Sequence, residues 1–277
     1  MKNFLIIANE YKDPEAEYTR RIIDYLGGRG ARRVISMLLG DESRDRKIDI
    51  PEGIEAILVL GGDGTMLQAA RATGASRVPL LGVNLGTLGY LTEVETGDIE
   101  TALDRLLNDD YTVQERMMLR GTVKNKVSEA LNDIVVTRSG KLQIIRFDVY
   151  VNGHLLNGFV ADGIICATPT GSTSYSLSAG GPVVEPGART ILLTPICAHS
   201  FHTRSIVLSP EDEIAIEISK GAGDRPQTAE VSFDGTDNEP LEAGDRVVIT
   251  RSSHTARIIK LSQESFLKVL GRKMSGS

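Results

Sequence analysis

Tryptophan is absent from this 277-residue chain, cysteine occurs twice, histidine four times, and only 5% of the residues are aromatic. Cys166 and Cys197 are too few for a disulfide framework. His199 and His202 stand three apart without a Cys/His/Asp cluster at metal-ligand spacing, so no protein metal ligand is expected. Long apolar runs are missing as well. The opening run, Phe4-Leu5-Ile6-Ile7-Ala8, is shorter than the roughly 7–15 residues of a secretory h-region, and no segment nears the roughly 18 that span a bilayer. The expected compartment is therefore the cytoplasm, with no membrane partner. Positive charge is not in excess either: 31 Lys plus Arg against 37 Asp plus Glu give net −6. That balance argues against a broad electrostatic grip on nucleic acid. Any anionic ligand must be held by local devices.

What is present, 41% apolar and 25% charged side chains, is the composition of a folded protein, and at about 100–200 residues per domain the length suggests two domains. The first hundred residues alternate between short apolar runs and helical patterns, as βα units around a mostly parallel sheet do. Phe4 to Ala8 reads as a strand. Asp13 reads as an N-cap with Pro14 opening a helix that turns Tyr18, Ile22 and Leu26 inward and stops at Gly27-Gly28. Ala31–Leu39 reads as a strand, Gly40–Asp49 as a loop and Ala56–Leu60 as a central buried strand. A helix over Met66–Thr73, a strand over Leu80–Val83 and a helix over Asp98–Leu107 follow. From about Arg116 the period becomes two. Phe147, Val149 and Val151 precede Asn152-Gly153; Val231 and Phe233 precede Asp234-Gly235; Ile214, Ile216 and Ile218 alternate likewise. The predicted fold is an N-terminal α/β domain (1–105, with 260–277 and its helix over Glu264–Leu270 packing back on it) and a C-terminal antiparallel, β-sandwich-like domain (106–259).

Three segments are candidates for chemistry. Gly61-Gly62-Asp63-Gly64-Thr65 lies between the buried strand and the next helix. Its glycines permit positive φ, and its N–H groups can converge beside a helix N-terminus, so it reads either as a phosphate seat or as a tight turn capped by Asp63 or Thr65. Carboxyl ends of strands are where open α/β sheets bind ligands. The second segment runs from Asp162 to Pro182, where seven of the eleven residues from Thr168 to Ser178 are Ser or Thr. Hydroxyls at that density suit a ligand rich in acceptors, or else a capped helix with a polar outer face. The third is Leu131-Asn132-Asp133-Ile134-Val135-Val136, whose polar pair either starts a strand or serves a site. Ser172 lacks the G-x-S-x-G context of a hydrolase nucleophile, and Cys166 reads as an inert core residue.

Together with the glycine-rich run Gly82–Gly89 before Tyr90, with Thr194-Pro195-Ile196-Cys197-Ala198-His199 and with Val231-Ser232-Phe233-Asp234-Gly235, these segments stand in the order and spacing of the NAD kinase family, which the chain resembles over roughly residues 55–260. Diacylglycerol, sphingosine and 6-phosphofructo kinases share something like the first motif; the Asp162–Pro182 block distinguishes the NAD kinases from them. The resemblance implies transfer of the γ-phosphoryl of ATP, or of polyphosphate, to the 2′-hydroxyl of the adenosine ribose of NAD, with Mg²⁺ or a similar ion. It also implies a homodimer or homotetramer whose active site lies between the domains and between subunits. By motif, Asp63 looks like the catalytic base, with Gly62 and Gly64 shaping the phosphate-facing loop. Asn132, Thr170, Thr173 and Ser174 would line the adenine end, Asp133 the adenosine ribose, Tyr90 the adenine flank, and Asp162, Tyr175 and Ser178 the nicotinamide side.

The chain departs from the family's usual residues at Asp133 (Glu), Tyr90 (Phe), Ala161 (Gly) and Ala198 (Pro). Neither Gly61–Thr65 nor Thr168–Ser178 contains Lys or Arg, so backbone amides and a metal are expected to carry the neutralisation there, with Arg138, Lys141 and Arg146 as candidate helpers. Alternative functions are a lipid or sphingoid-base kinase and a non-catalytic nucleotide sensor.

Overall fold

The computed structural model describes residues 1–40, 47–86, 89–140, 144–200, 204–220, 227–262 and 265–274. Residues 41–46 of the expected Gly40–Asp49 loop, and Thr87, Leu88, Lys141, His202 and Glu264, lie outside the described residues. The chain divides into two compact units, Met1–Arg116 with Thr255–Ser277, and Met117–His254.

The first unit contains β1 (Asn3–Asn9), α1 (Glu17–Gly28), β2 (Arg33–Leu39), β3 (Ala56–Gly61), α2 (Asp63–Thr73), β4 (Leu80–Asn84), β5 (Val94–Glu95) and α3 (Ile99–Leu107). Its strands pair in parallel in the order β4-β3-β1-β2, with β5 beside β4. Ile258, near the chain's C-terminal end, pairs with Leu80 on the far side of β4. Every residue of β3 is buried, which accounts for its unbroken apolar run: a central parallel strand is covered on both faces. Ile22 and Leu26 of α1 and Leu103 and Leu106 of α3 join Phe4, Ile6, Leu58 and Leu60 in one core. Each such side chain contributes about 1.5–3 kcal/mol by leaving water. Because β1, β3 and β4 are adjacent and parallel, with Ala8 opposite Leu60 and Gly61 opposite Asn84, their carboxyl ends emerge side by side.

Helix α1 starts later than its Asp-Pro signal predicts. A turn closed by the Ala16 N–H to the Asp13 carbonyl (2.9 Å) intervenes, and Ala16, at φ 53°, is the residue preceding the helix. Asp13 still caps the helix. Its carboxylate accepts from the Tyr18 and Thr19 N–H groups (3.1 and 3.0 Å) and from the Thr19 hydroxyl (2.6 Å). An acid that reaches the second and third helical amides need not stand at the N-cap itself.

The second unit holds β7 (Lys126–Ala130), β8 (Asp133–Arg138), β9 (Ile145–Val151), β10 (His154–Ala161), β11 (Gly163–Ala167), α4 (Tyr175–Ser178), β12 (Ile191–Ile196), β13 (Ile206–Leu208), β14 (Ile214–Ile218), β15 (Thr228–Phe233) and β16 (Thr236–Glu242). Two long strands, β6 (Thr112–Val123) and β17 (Arg246–Lys260), contain the points where the units divide, and α5 (Phe266–Met274) follows. Within the second unit the pairing is antiparallel. One sheet runs β10-β9-β14-β17, and the other runs β13-β12-β11-β8-β15-β16. Alternate residues of both sheets, among them Phe147, Val149, Ile214 and Ile216 from one and Ile134, Ile164, Val231 and Phe233 from the other, share a core. That is sandwich packing. Asn152-Gly153 and Asp234-Gly235 form the predicted two-residue hairpin turns, all four residues at positive φ (50° and 78°, 51° and 71°).

Candidate active site

Asp63 opens α2 directly after Gly62, three residues before the predicted helix start. Its carboxylate does not cap its own helix. It accepts the backbone N–H groups of three consecutive residues on the segment after β4: Tyr90 on Oδ2 at 2.6 Å, and Leu91 and Thr92 on Oδ1 at 3.0 and 3.2 Å. The Thr92 hydroxyl lies 3.5 Å from Oδ1 as well. Each oxygen of an ionised carboxylate has about two acceptor sites, so among the described residues Oδ2, with one donor, retains one. Gly89 makes this possible, because a Cβ there would overlap the Asp63 carboxylate. The glycines of the turn work differently from the expectation. None of Gly61, Gly62 and Gly64 has positive φ. Gly61 and Gly62 instead allow close approach, of Thr65 and of Lys12 respectively, whereas Gly64 faces open space.

The tip of β1 is tied to the same turn. Asn9 accepts the Tyr11 and Lys12 N–H groups on its side-chain oxygen (3.0 and 3.2 Å) and donates from Nδ2 to Thr65 Oγ1 (3.3 Å), which also accepts the Gly62 N–H (3.4 Å). The result brings Lys12 over the glycines. A Cβ built on Gly62 would lie 2.9 Å from Lys12 Nζ, and one on Gly86, 3.2 Å. Gly86 itself is fixed by Asn84, which accepts its N–H (3.2 Å) and donates to its carbonyl (2.9 Å). The sequence reading missed Lys12 because it lies about fifty residues from the motif it approaches.

In the second unit, Asp234 in its hairpin turn accepts three consecutive N–H groups, those of Leu131, Asn132 and Asp133 (2.8, 2.8 and 3.1 Å). The sequence marked Asp234-Gly235 as a turn and gave Asp234 no role in a site. Asp133 is 4% exposed. Burial, and secondarily the charge of Asp234, push its carboxyl up to about 7. The Thr168 N–H donates to the Asn132 carbonyl (2.8 Å), and the Thr168 hydroxyl to that of Leu131 (2.6 Å). Gly171 packs so closely on the Asn132 carbonyl that a Cβ would overlap it.

These contacts set Thr168 and Gly171, which bracket Thr170 in the chain, against the Leu131 and Asn132 carbonyls. The hydroxyls that follow divide into two sets. Ser172 and Ser176 are buried and bonded internally, Ser172 to the Pro169 carbonyl (2.7 Å) and Ser176 to Thr194 (3.1 Å). Ser174, Tyr175 and Ser178 are exposed, Thr173 is half-buried, and Thr170 Oγ1 is buried without a hydrogen-bond partner. Helix α4 has only four residues and no side-chain cap; the helical turn before it opens on the Thr168 hydroxyl, which accepts the Gly171 N–H at 3.1 Å. Asp162 lies at the other end of β11, roughly 20 Å of extended backbone from Thr168, where Arg138 Nε donates to it at 2.8 Å. Arg146 and His199 are exposed. Cys166 is fully buried, and burial drives its thiol far up.

Residues 4–111 match the model of the ATP-NAD kinase N-terminal domain, and residues 131–261 that of the ATP-NAD kinase C-terminal domain. The chain is 48% identical over 281 residues to an NAD kinase of Agathobacter rectalis, covering 99% of both chains. It is 42% identical over 295 residues to one of Lachnospira eligens, covering 99% of this chain and all of that one. Two solved structures share the fold. A yeast NADH kinase complexed with NADH superposes with a TM-score of 0.86 at 24% identity, covering 99% of this chain and 88% of that one. An NAD kinase from Archaeoglobus fulgidus in complex with ATP superposes with a TM-score of 0.79 at 26% identity, covering 98% and 99%. With both of the family's domains matched in order and near-complete coverage of relatives well above 30% identity, the chain belongs to the ATP-NAD kinase family.

Proposed function

We propose that this chain phosphorylates the 2′-hydroxyl of the adenosine ribose of NAD with the γ-phosphoryl of ATP, giving NADP. The observation that carries this reading is the Asp63 carboxylate, held at the carboxyl end of a central parallel strand by three backbone N–H groups and keeping one acceptor site on Oδ2. A ribose hydroxyl is a weak nucleophile. As its oxygen bonds to the γ-phosphorus and the bond to the β-phosphate oxygen breaks, its proton passes to Asp63, a contribution of about 10²–10⁴-fold. The rigid hold on the carboxylate keeps that acceptor in one place, so little reorganisation is needed at the moment of transfer.

The other half of the reading concerns NAD. Asn132, Thr170, Thr173 and Ser174 take the adenine end, with Tyr90 at its flank. Tyr175 and Ser178 take the nicotinamide side, and Asp162, at the other end of β11, serves that side of a site shared between subunits of the proposed oligomer. Asp133 takes the adenosine ribose. With its carboxyl near 7, Asp133 is divided at neutral pH between a form that donates a hydrogen bond and one that only accepts, which suits a partner that can do either. Its side chain is one methylene shorter than the family's usual Glu, so its reach toward the ribose is shorter by that much.

Among the described residues no three His, Cys, Asp or Glu side chains cluster as a metal cage. Mg²⁺ would be borne on the donor's phosphates, since this ion is commonly held by one or two carboxylates, waters and substrate oxygens. Asp63 is the acid of the glycine turn that would face it, and the ion would neutralise charge on the transferring phosphoryl group. The proposed assembly is a homodimer or homotetramer, and the proposed compartment is the cytoplasm.

The test is NADP formation from NAD and ATP with Mg²⁺, with polyphosphate as a second donor, diacylglycerol as a second acceptor and excess chelator as a control. NADP formed with a nucleotide or polyphosphate donor and abolished by chelator is expected. Transfer to the lipid alone, or full turnover in chelator, would contradict the reading.

A further inference from the structure

We infer that Lys12 is a further binding residue for the phosphoryl donor, its ammonium holding the terminal phosphates of a polyphosphate chain over the glycine turn. Three loops at the carboxyl ends of adjacent parallel strands meet at this ammonium. Lys12 follows β1, Gly62 follows β3 and Gly86 follows β4. Hypothetical Cβ atoms at the two glycines would lie 2.9 and 3.2 Å from Nζ, so the ammonium rests on bare backbone. Its own backbone is held by Asn9, which reaches across to Thr65 in the first turn of α2. Among the described residues no carboxylate lies within 4.0 Å of Nζ. An unpaired ammonium beside the opening of an eleven-residue helix places two positive ends together. The arrangement suits an anion with several oxygens.

The inference rests on the proposed role of Asp63. If Asp63, next to Gly62 in the chain, takes the proton of the attacking hydroxyl, the phosphoryl group under attack lies at the same turn. That points to the donor's terminal phosphate rather than to the pyrophosphate of NAD. The chemistry fits the triphosphate of ATP and inorganic polyphosphate alike. It also supplies the cation that neither the glycine turn nor the Thr168–Ser178 segment contains.

The experiment compares Lys12→Met and Lys12→Arg with the unsubstituted chain. Lys12→Met should raise KM for the donor by about 10- to 100-fold, the loss expected for one charge-assisted hydrogen bond, and leave KM for NAD within about twofold. Lys12→Arg should recover most of the loss. A rise with ATP alone, or with polyphosphate alone, identifies that donor as the ligand. Inorganic tripolyphosphate titrated by calorimetry, without turnover, should bind the unsubstituted chain and bind Lys12→Met about 10- to 100-fold more weakly. An unchanged donor KM, an equal rise for NAD, or unaltered tripolyphosphate binding overturns the inference. Absence of NADP formation by the unsubstituted chain overturns the kinase reading instead, and the titration then still decides the role of Lys12.

Discussion

The two units use the same device toward different ends. In each, one aspartate gathers three consecutive backbone N–H groups: Asp63 those of Tyr90, Leu91 and Thr92, and Asp234 those of Leu131, Asn132 and Asp133. In the first unit the gathering carboxylate is the proposed reactive group, and the segment it holds orients it. In the second unit the roles are reversed: the held segment carries the proposed ligand-binding pair Asn132-Asp133, and Asp234 is its clamp. The neighbours differ accordingly. Asp63 stands at the start of an eleven-residue helix, where a negative charge is favoured. Asp234 faces a second, buried carboxyl and raises the cost of ionising it. A carboxylate collar therefore does not by itself announce catalysis; its surroundings decide which member of the collar acts.

The sharpest way to break the comparison is to make the same substitution in both collars. Asp63→Asn should lower kcat by about two to four decades, roughly 3–5 kcal/mol, because the amide cannot take the proton. It also turns one acceptor oxygen into a donor facing N–H groups, so some loss of stability is expected with it. Asp234→Asn should do the reverse. Thermal or urea denaturation should show a loss of about 1–3 kcal/mol from unsatisfied amides, KM for NAD should rise, and kcat at saturating substrate should fall far less than in Asp63→Asn. Matching kinetic profiles for the two variants would erase the distinction.

The smallest effect concerns the buried neighbour. A carboxyl whose folded-state pKa is raised stabilises the fold fully below its unfolded value near 4 and loses that contribution as pH rises through about 7. Asp133→Asn removes the titration. The variant's stability relative to the unsubstituted, ligand-free chain should therefore be greater at pH 8 than at pH 5, by about 2 kcal/mol, as read by urea denaturation at both pH values. A difference independent of pH would mean that Asp133 titrates at an ordinary value.

Much of this was legible along the chain, and the reasons separate what was from what was not. Buried parallel strands read clearly because both faces are apolar, as in β3. Asn152-Gly153 and Asp234-Gly235 read clearly because two successive positive φ angles demand such residues. The motif around Asp63 was visible through its place between a buried strand and a helix. The Asp63 collar was hidden, because its donors are backbone groups 27 to 29 residues away and any side chain could accompany them. Lys12 and Asp234 were hidden for a related reason: proximity across parallel strand ends, or across a hairpin, leaves no local spacing to read. The starts of α1 and α2 were misplaced because the responsible acid caps from a distance in one case and turns away from its own helix in the other. The divisions inside β6 and β17 carry no linker composition, since the strands continue through them.

The central claim is that the remaining acceptor of Asp63 meets the hydroxyl that is phosphorylated. A crystal structure of the unsubstituted chain with NAD tests it most directly. The account predicts Asp63 Oδ2 within about 2.6–3.2 Å of the 2′-oxygen of the adenosine ribose while the Tyr90–Thr92 amides remain bound to the same carboxylate. A dinucleotide seated with both of its riboses beyond hydrogen-bonding reach of Asp63 would contradict it.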